Sequence, residues 1–283
     1  MSDVREALVI YSPEPAWSGN LRALALGTGL AVAVTLSLCE VAWTVGWDRT
    51  KLVDLTYELD EATIAWPTNR PFHRDKTAWG MTAQGYWYAS GDFVMSEHAG
   101  THIDAPVHFA QGRPSVDRIP VDHLIGPAVV VDVRAAVAKD ADYRLRVEDL
   151  RNWEARHGSI PAGAIVVMRS GWGRHWPDRL AYLGSPTPED VTTLHFPGFS
   201  REAAEFLTKE RNIVGIGIDT ASIDYGPSRD FIVHRIIGGA GLYGLENIAH
   251  LEQLPEAGAL MIALPVKIRD GTGGPVRLIA VLP

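Results

Sequence analysis

The sequence predicts a mixed α/β fold with a substantial sheet. Three observations carry this: short β-branched runs in mid-chain, capped amphipathic segments between them, and an apolar hairpin pattern near the C-terminus. The runs are AVVVDV (residues 128–133), AIVVM (164–168) and VGIGI (214–218), each apolar and of strand length, as buried strands are. Earlier, LVDLTYELDE (52–61) reads as a strand followed by a polar turn. In VEDLRNWEARHG (147–158), Leu150 and Trp153 recur at helical spacing and Gly158 is suited to the C-terminal cap. In SREAAEFLTKERN (200–212), Ser200 is a helix N-cap and Ala203, Phe206 and Leu207 share one face. Finally, ALMIALPVKI and PVRLIAVL flank Arg269-Asp-Gly-Thr-Gly-Gly, a hairpin signal.

These elements form one body, residues 51–283, with no repeat and no low-complexity linker. Residues 1–50 are read as an N-terminal extension. Within it, residues 23–39 carry no charge and resemble the apolar region of a signal peptide or short membrane anchor, whereas Asp3, Glu6 and Glu14 oppose the basic leader such a segment normally has. A cytoplasmic location is expected, with periplasmic export or anchoring through 23–39 as the alternative.

Composition narrows the function. With 46% hydrophobic and 21% charged residues among 283, the chain is globular, not disordered. A formal charge of −8 without a Lys/Arg cluster disfavours a nucleic-acid surface and suits a small organic substrate. Cys39 is the only cysteine, so any metal site in the body uses nitrogen and oxygen donors.

The chemistry concentrates in HAGTHIDAPVH, residues 98–108, with three of the ten histidines and one aspartate. On a helix, His98 and His102 would face away from Asp104 and His108, and Gly100 and Pro106 would oppose that helix. On an extended chain all four share parity and project to one side, with Gly100 and Pro106 allowing bends. Two imidazoles and a carboxylate suit Zn²⁺, Mn²⁺ or Fe²⁺, and an open coordination position lets a water lose a proton near neutral pH. His108 either ligates or shuttles a proton; the shuttle is favoured.

With these residues, the sequence resembles the cyclase family of metal-dependent hydrolases, which includes bacterial kynurenine formamidase and isatin hydrolase. The motif H-x-G-T-H-x-D-x-P-x-H is met in full by residues 98–108 and followed by Phe109; GIGIDTASIDYG (215–226), His234 and LYGLENIAHLEQLP (242–255) match later blocks. The resemblance implies a swivelling β/β/α-type single domain with a mixed sheet, in a dimer or tetramer. It implies that His98, His102 and Asp104 bind a metal, Asp104 bridging, that His234 and Glu246 hold a second ion, and that His108 is the acid/base. On the residues alone, His234 reads as a core or surface histidine and Glu246 as a solvated charge.

The expected activity is hydrolysis of an amide-type C–N bond in a small aromatic molecule, the formamide of N-formylkynurenine or the cyclic amide of isatin, with one or two Zn or Mn ions and metal-bound hydroxide as nucleophile. The aromatic- and proline-rich stretch 170–200 resembles the longer isatin hydrolase branch. Of Trp66, Trp79, Trp87, Phe93, Trp172, Trp176 and Phe196, two or three are expected to wall a substrate pocket, with Trp66 and Trp87 chosen beside Phe109. Asp219, Ser222 and Asp224 follow a strand end, where functional loops and turn caps both occur. The rivals are an Fe(II) oxygenase using His102, Asp104 and His234, and a non-catalytic metal-binding module.

Overall fold

The computed structural model describes residues 48–283; the uncharged stretch 23–39 and Cys39 lie outside the described residues. In chain order the elements are β1 (Leu52–Asp54), β2 (His73–Met81), β3 (Trp87–Val94), β4 (His102–Asp104), β5 (Ile125–Asp132) and α1 (Arg134–Val137). There follow β6 (Arg144–Leu145), α2 (Val147–His157), β7 (Ala164–Arg169), α3 (Arg179–Leu183), β8 (Gly198–Phe199) and α4 (Arg201–Glu210). The chain ends with β9 (Ile213–Ile218), α5 (Ile232–Gly239), β10 (Tyr243–Glu246), β11 (Leu260–Pro265) and β12 (Gly273–Val281).

Eight strands form one mixed sheet in the order β1-β12-β11-β5-β7-β9-β10-β4, and a further pairing of β4 with β12 closes it on itself. The segment β5-β7-β9-β10 is parallel, as helical crossovers require, and the other pairs are antiparallel. This is the mixed α/β sheet that the sequence predicts, rolled into a barrel-like arrangement. Alternation along the central strands explains the two cores: Val129, Val131, Val166 and Met168 face the helices, whereas Val130, Ile165 and Val167 face the barrel interior. Each such side chain taken out of water contributes about 1.5–3 kcal/mol. In β9, Gly215 leaves room for the Tyr243 ring, which a Cβ there would strike.

The expected helices form with their caps. Ser200 accepts from the amide of Ala203, and α2 ends at Gly158 with φ +87°. The strand expected at the start of 52–61 is Leu52–Asp54, and the polar turn expected after it forms around Asp60 and Thr63. The C-terminal hairpin pairs β11 with β12 as read from sequence. Strands β2 and β3 form a separate two-stranded ribbon carrying exposed Trp79, Trp87 and Phe93. Among the described residues no helix is long and apolar enough to cross a membrane.

Candidate active site

Strand β4 is three residues long but paired on both edges, which fixes its side chains. Its antiparallel register with β10 sets Glu246 opposite His102, so the imidazole and carboxylate are cross-strand neighbours on one face. The extended run expected over 98–108 is confined to residues 102–104. Gly100, at φ +61°, turns the chain before β4, and Pro106–His108 form a 3₁₀ turn after it. His98 and His108 therefore arrive from turns on either side of Asp104, and parity alone does not gather them.

His234 comes from α5. The first turn of that helix is held by Asp224, whose carboxylate accepts from the backbone amides of Val233 and His234 and contacts His234 Nδ1 at 2.7 Å. His234 Nε2 is thereby directed to Asp104 Oδ2 at 3.0 Å and Glu246 Oε1 at 3.1 Å.

Three imidazoles share one logic, each with one nitrogen committed outward and the other aimed at the carboxylates. His102 Nδ1 donates to the Gly100 carbonyl at 2.9 Å, which makes Nε2 the lone-pair nitrogen of the neutral ring. That atom is buried without a hydrogen-bond partner, 3.3 Å from Asp104 Oδ1 and 3.4 Å from Glu246 Oε2. The Thr272 hydroxyl donates to Glu97, so it accepts from His98 Nε2 at 2.9 Å, and the free Nδ1 of His98 faces Asp104 Oδ1 at 2.6 Å. A bare nitrogen lone pair against a carboxylate oxygen is repulsive unless a proton or cation lies between them. An orphaned buried nitrogen, carboxylates and outward-anchored histidines together could hold a divalent cation. Donor atoms of His102, Asp104 and Glu246 lie within 4.8 Å of one another, as do those of His98, Asp104 and His108.

The electrostatics of the metal-free residues say the same. Burial disfavours the charged form of His102, yet Asp104 and Glu246 outweigh it and raise its pKa to about 9. His234 is likewise raised well above the ordinary imidazole range: burial works against this, and contacts to Asp104, Asp224 and Glu246 prevail. Burial would raise Asp104, but the surrounding histidines hold it well below the carboxylate range. His108 differs. Burial, reinforced by the charges of His98, His234 and His102, lowers it to about 4, so it is neutral at pH 7 and able to accept a proton. Its ring stacks on His98 with centroids 4.0 Å apart.

Above these groups lies a cavity of about 240 Å³ walled by Trp66, Phe109 and Phe231, with Asn69 and Ser222 at its polar edge. Phe231 lies 5.3 Å from Phe109 and 5.9 Å from Trp66 between ring centroids. Trp87 is a correction: it sits on the exposed ribbon against Trp79, 57% accessible, and does not reach the cavity of its own chain. Trp79 and Phe93 are likewise on the ribbon, Trp172 and Phe196 are in the core, and Trp176 stacks on Tyr57 away from the cavity. Of the strand-end loop residues, Ser222 lines the cavity, Asp224 orients His234, and Asp219 holds the loop after β7 through Ser170, Gly171 and Trp172. Sequence reasoning missed Phe231, Thr272 and Asn247. Thr272 lay in a recognised turn and Asn247 beside Glu246, but nothing local marked either.

The model of the Cyclase family, described as "Putative cyclase", matches residues 53–225. The chain belongs to this family. Among its relatives, isatin hydrolase of Roseibium aggregatum is 36% identical over 209 residues, covering 71% of this chain and 78% of that protein. Kynurenine formamidase of Salinibacter ruber is 28% identical over 234 residues, covering 81% and 96%. The solved isatin hydrolase A of Ralstonia solanacearum matches with a TM-score of 0.75 at 36% identity, over 82% of this chain and 92% of that one.

Proposed function

We propose that this cyclase-family member is a metal-dependent hydrolase that opens the cyclic amide of an isatin-like aromatic substrate. The observation that carries the reading is the convergence of the inward-facing ring nitrogens of His98, His102 and His234 on the carboxylates of Asp104 and Glu246 beneath an aromatic-walled cavity. The relatives named isatin hydrolase support the cyclic amide over the formamide. His98, His102 and Asp104 would hold one ion, Zn or Mn, with Asp104 shared and His234 and Glu246 completing a second position.

A divalent cation there supplies a Lewis acid that acidifies water and polarises a carbonyl. Trp66, Phe109 and Phe231 bind and orient the aromatic ring and exclude bulk water from the carbonyl. A ring nitrogen of neutral His108 takes the proton of the attacking water as its oxygen bonds to the carbonyl carbon. The same nitrogen returns the proton to the departing amide nitrogen as the C–N bond breaks, leaving an amine and a carboxylic acid that releases its proton to water to become the carboxylate. An Fe(II) oxygenase built on His102, Asp104 and His234 would leave His98 and Glu246 idle, although His98 faces Asp104 and Glu246 faces His102. The exposed aromatics on the ribbon of β2 and β3 favour a homo-oligomer, and a cytoplasmic location is proposed for it.

The test is turnover of isatin against N-formylkynurenine by purified protein loaded with Mn²⁺ or Zn²⁺, under air and without oxygen. Isatin should be opened at the same rate in both atmospheres and faster than the formamide is cleaved. A preference for N-formylkynurenine would move the assignment to arylformamide hydrolysis. A His102→Ala protein that keeps both bound metal and turnover would sink the hydrolytic centre altogether.

A further inference from the structure

We propose that Asn247 is a positioning residue that locks the His102 and Glu246 half of the metal centre, and that Tyr182 ties the long 170–200 segment to that lock. The inference rests on the metal-centre reading above. Pairing between β4 and β10 ends at the His102–Glu246 rung, so strand register cannot hold what lies beyond it. Asn247 takes over at that point. It directly follows Glu246, is buried, and has φ +53°, a conformation that asparagine tolerates better than most residues.

From this place Asn247 grips both residues preceding His102. Its Nδ2 donates to the Gly100 carbonyl at 2.8 Å, and its own carbonyl accepts from Thr101 Oγ1 at 2.7 Å. Gly100 is the hinge of the motif, and its carbonyl is the acceptor that keeps the His102 proton on Nδ1. A Gly100 carbonyl free to swing would release that proton to Nε2, and an N–H would then face Asp104 and Glu246 where a lone pair is needed. The orientation of the Asn247 amide is fixed at both ends. Only its NH₂ can face the Gly100 carbonyl, and its Oδ1 accepts from the Tyr182 hydroxyl at 2.9 Å. Tyr182 belongs to α3 and is fully buried, and its hydroxyl also contacts the Asp219 carbonyl. One amide therefore joins a liganding carboxylate, the tautomer of a liganding imidazole and the segment that distinguishes this chain from the shorter formamidase pattern.

The experiment titrates the full-length, metal-free protein with Mn²⁺, comparing the parent with Asn247→Gly and Tyr182→Phe, and measures the metal-free unfolding midpoint of each in parallel. Glycine preserves the left-handed backbone and the carbonyl contact to Thr101, so only the side-chain clamp is removed. Asn247→Gly should bind Mn²⁺ about 10- to 100-fold more weakly, as loss of partners that orient metal ligands does. Tyr182→Phe should weaken binding in the same direction and less, without a matching drop in the metal-free midpoint. A role confined to stability would lower that midpoint and leave Mn²⁺ affinity alone. Parent-like affinity in either folded variant overturns the proposal while leaving the hydrolase reading intact. A parent that binds no Mn²⁺ overturns the metal centre and this inference with it.

Discussion

Nε2 of His234 lies 3.0 Å from Oδ2 of Asp104, a contact across 130 positions of sequence that joins α5 to β4. What aims the imidazole is Asp224, which holds both the helix start and Nδ1. Asp224→Asn should weaken metal binding or turnover by about 10- to 100-fold, because the outward anchor loses its charge and the tautomer is no longer enforced. Metal content after dialysis and initial rates check this; parent-like values for both would show that Asp224 serves only as a helix cap.

His108 lines the cavity, and burial lowers its pKa where those of His102 and His234 are raised. Removing a proton-transfer group while sparing the ligands should separate binding from chemistry. His108→Ala is expected to retain its metal and lose about 100- to 10,000-fold in kcat. If metal is lost together with activity, His108 is a ligand, the alternative that its proximity to His98 and Asp104 also allows.

The metal-free site should respond to pH in a defined direction. His102, raised from 6.5 to about 9, and His234, raised well above the ordinary imidazole range, are protonated at pH 7 when no cation is present. A cation must displace those protons, so affinity rises with pH through the neutral range and binding releases protons. Calorimetry in two buffers of different ionisation heat measures the number released, and none released would refute the account. For the metal-free protein the linkage has the opposite sense. A raised imidazole pKa contributes stability that is full below about 6.5 and is lost as pH climbs through about 9, so the urea midpoint should fall over that interval.

A test of packing concerns Gly238, where a Cβ would sit 2.8 Å from the Pro106 carbonyl. Gly238→Ala must push α5 away from the 3₁₀ turn that carries His108. A loss of about 1–3 kcal/mol is expected from overpacking, together with weaker metal binding, since His234 rides on the same helix. Unchanged affinity alongside the stability loss would mean that α5 accommodates the methyl without moving His234.

The strands β5, β7 and β9 and the helices α2 and α4 were legible because their signals are local: β-branched runs, a serine cap, a glycine stop. The cluster of candidate ligands stands out in the sequence for the same reason, since covalent spacing keeps His98, His102, Asp104 and His108 within eleven residues. The manner of their gathering was not. Chain parity suggested a long extended segment, whereas turns at Gly100 and Pro106 bring the outer histidines in. Trp87 shows the limit of composition, because a tryptophan carries no mark that separates a pocket wall from an exposed ribbon.

By itself, the sequence determined the α/β class and singled out the first cluster of candidate donors, since both depend on contacts within a few residues. It offered His234 and Glu246 only through likeness to a family. Tertiary structure alone decided that Glu246 stands opposite His102, that Asp224 and Thr272 anchor the outward nitrogens of two histidines, and that Asn247 clamps the Gly100 carbonyl. The physical reason is closure of the sheet. Pairing β4 between β10 and β12 brings residues more than a hundred positions apart to hydrogen-bonding distance, and no local pattern records which distant side chain will meet a given nitrogen.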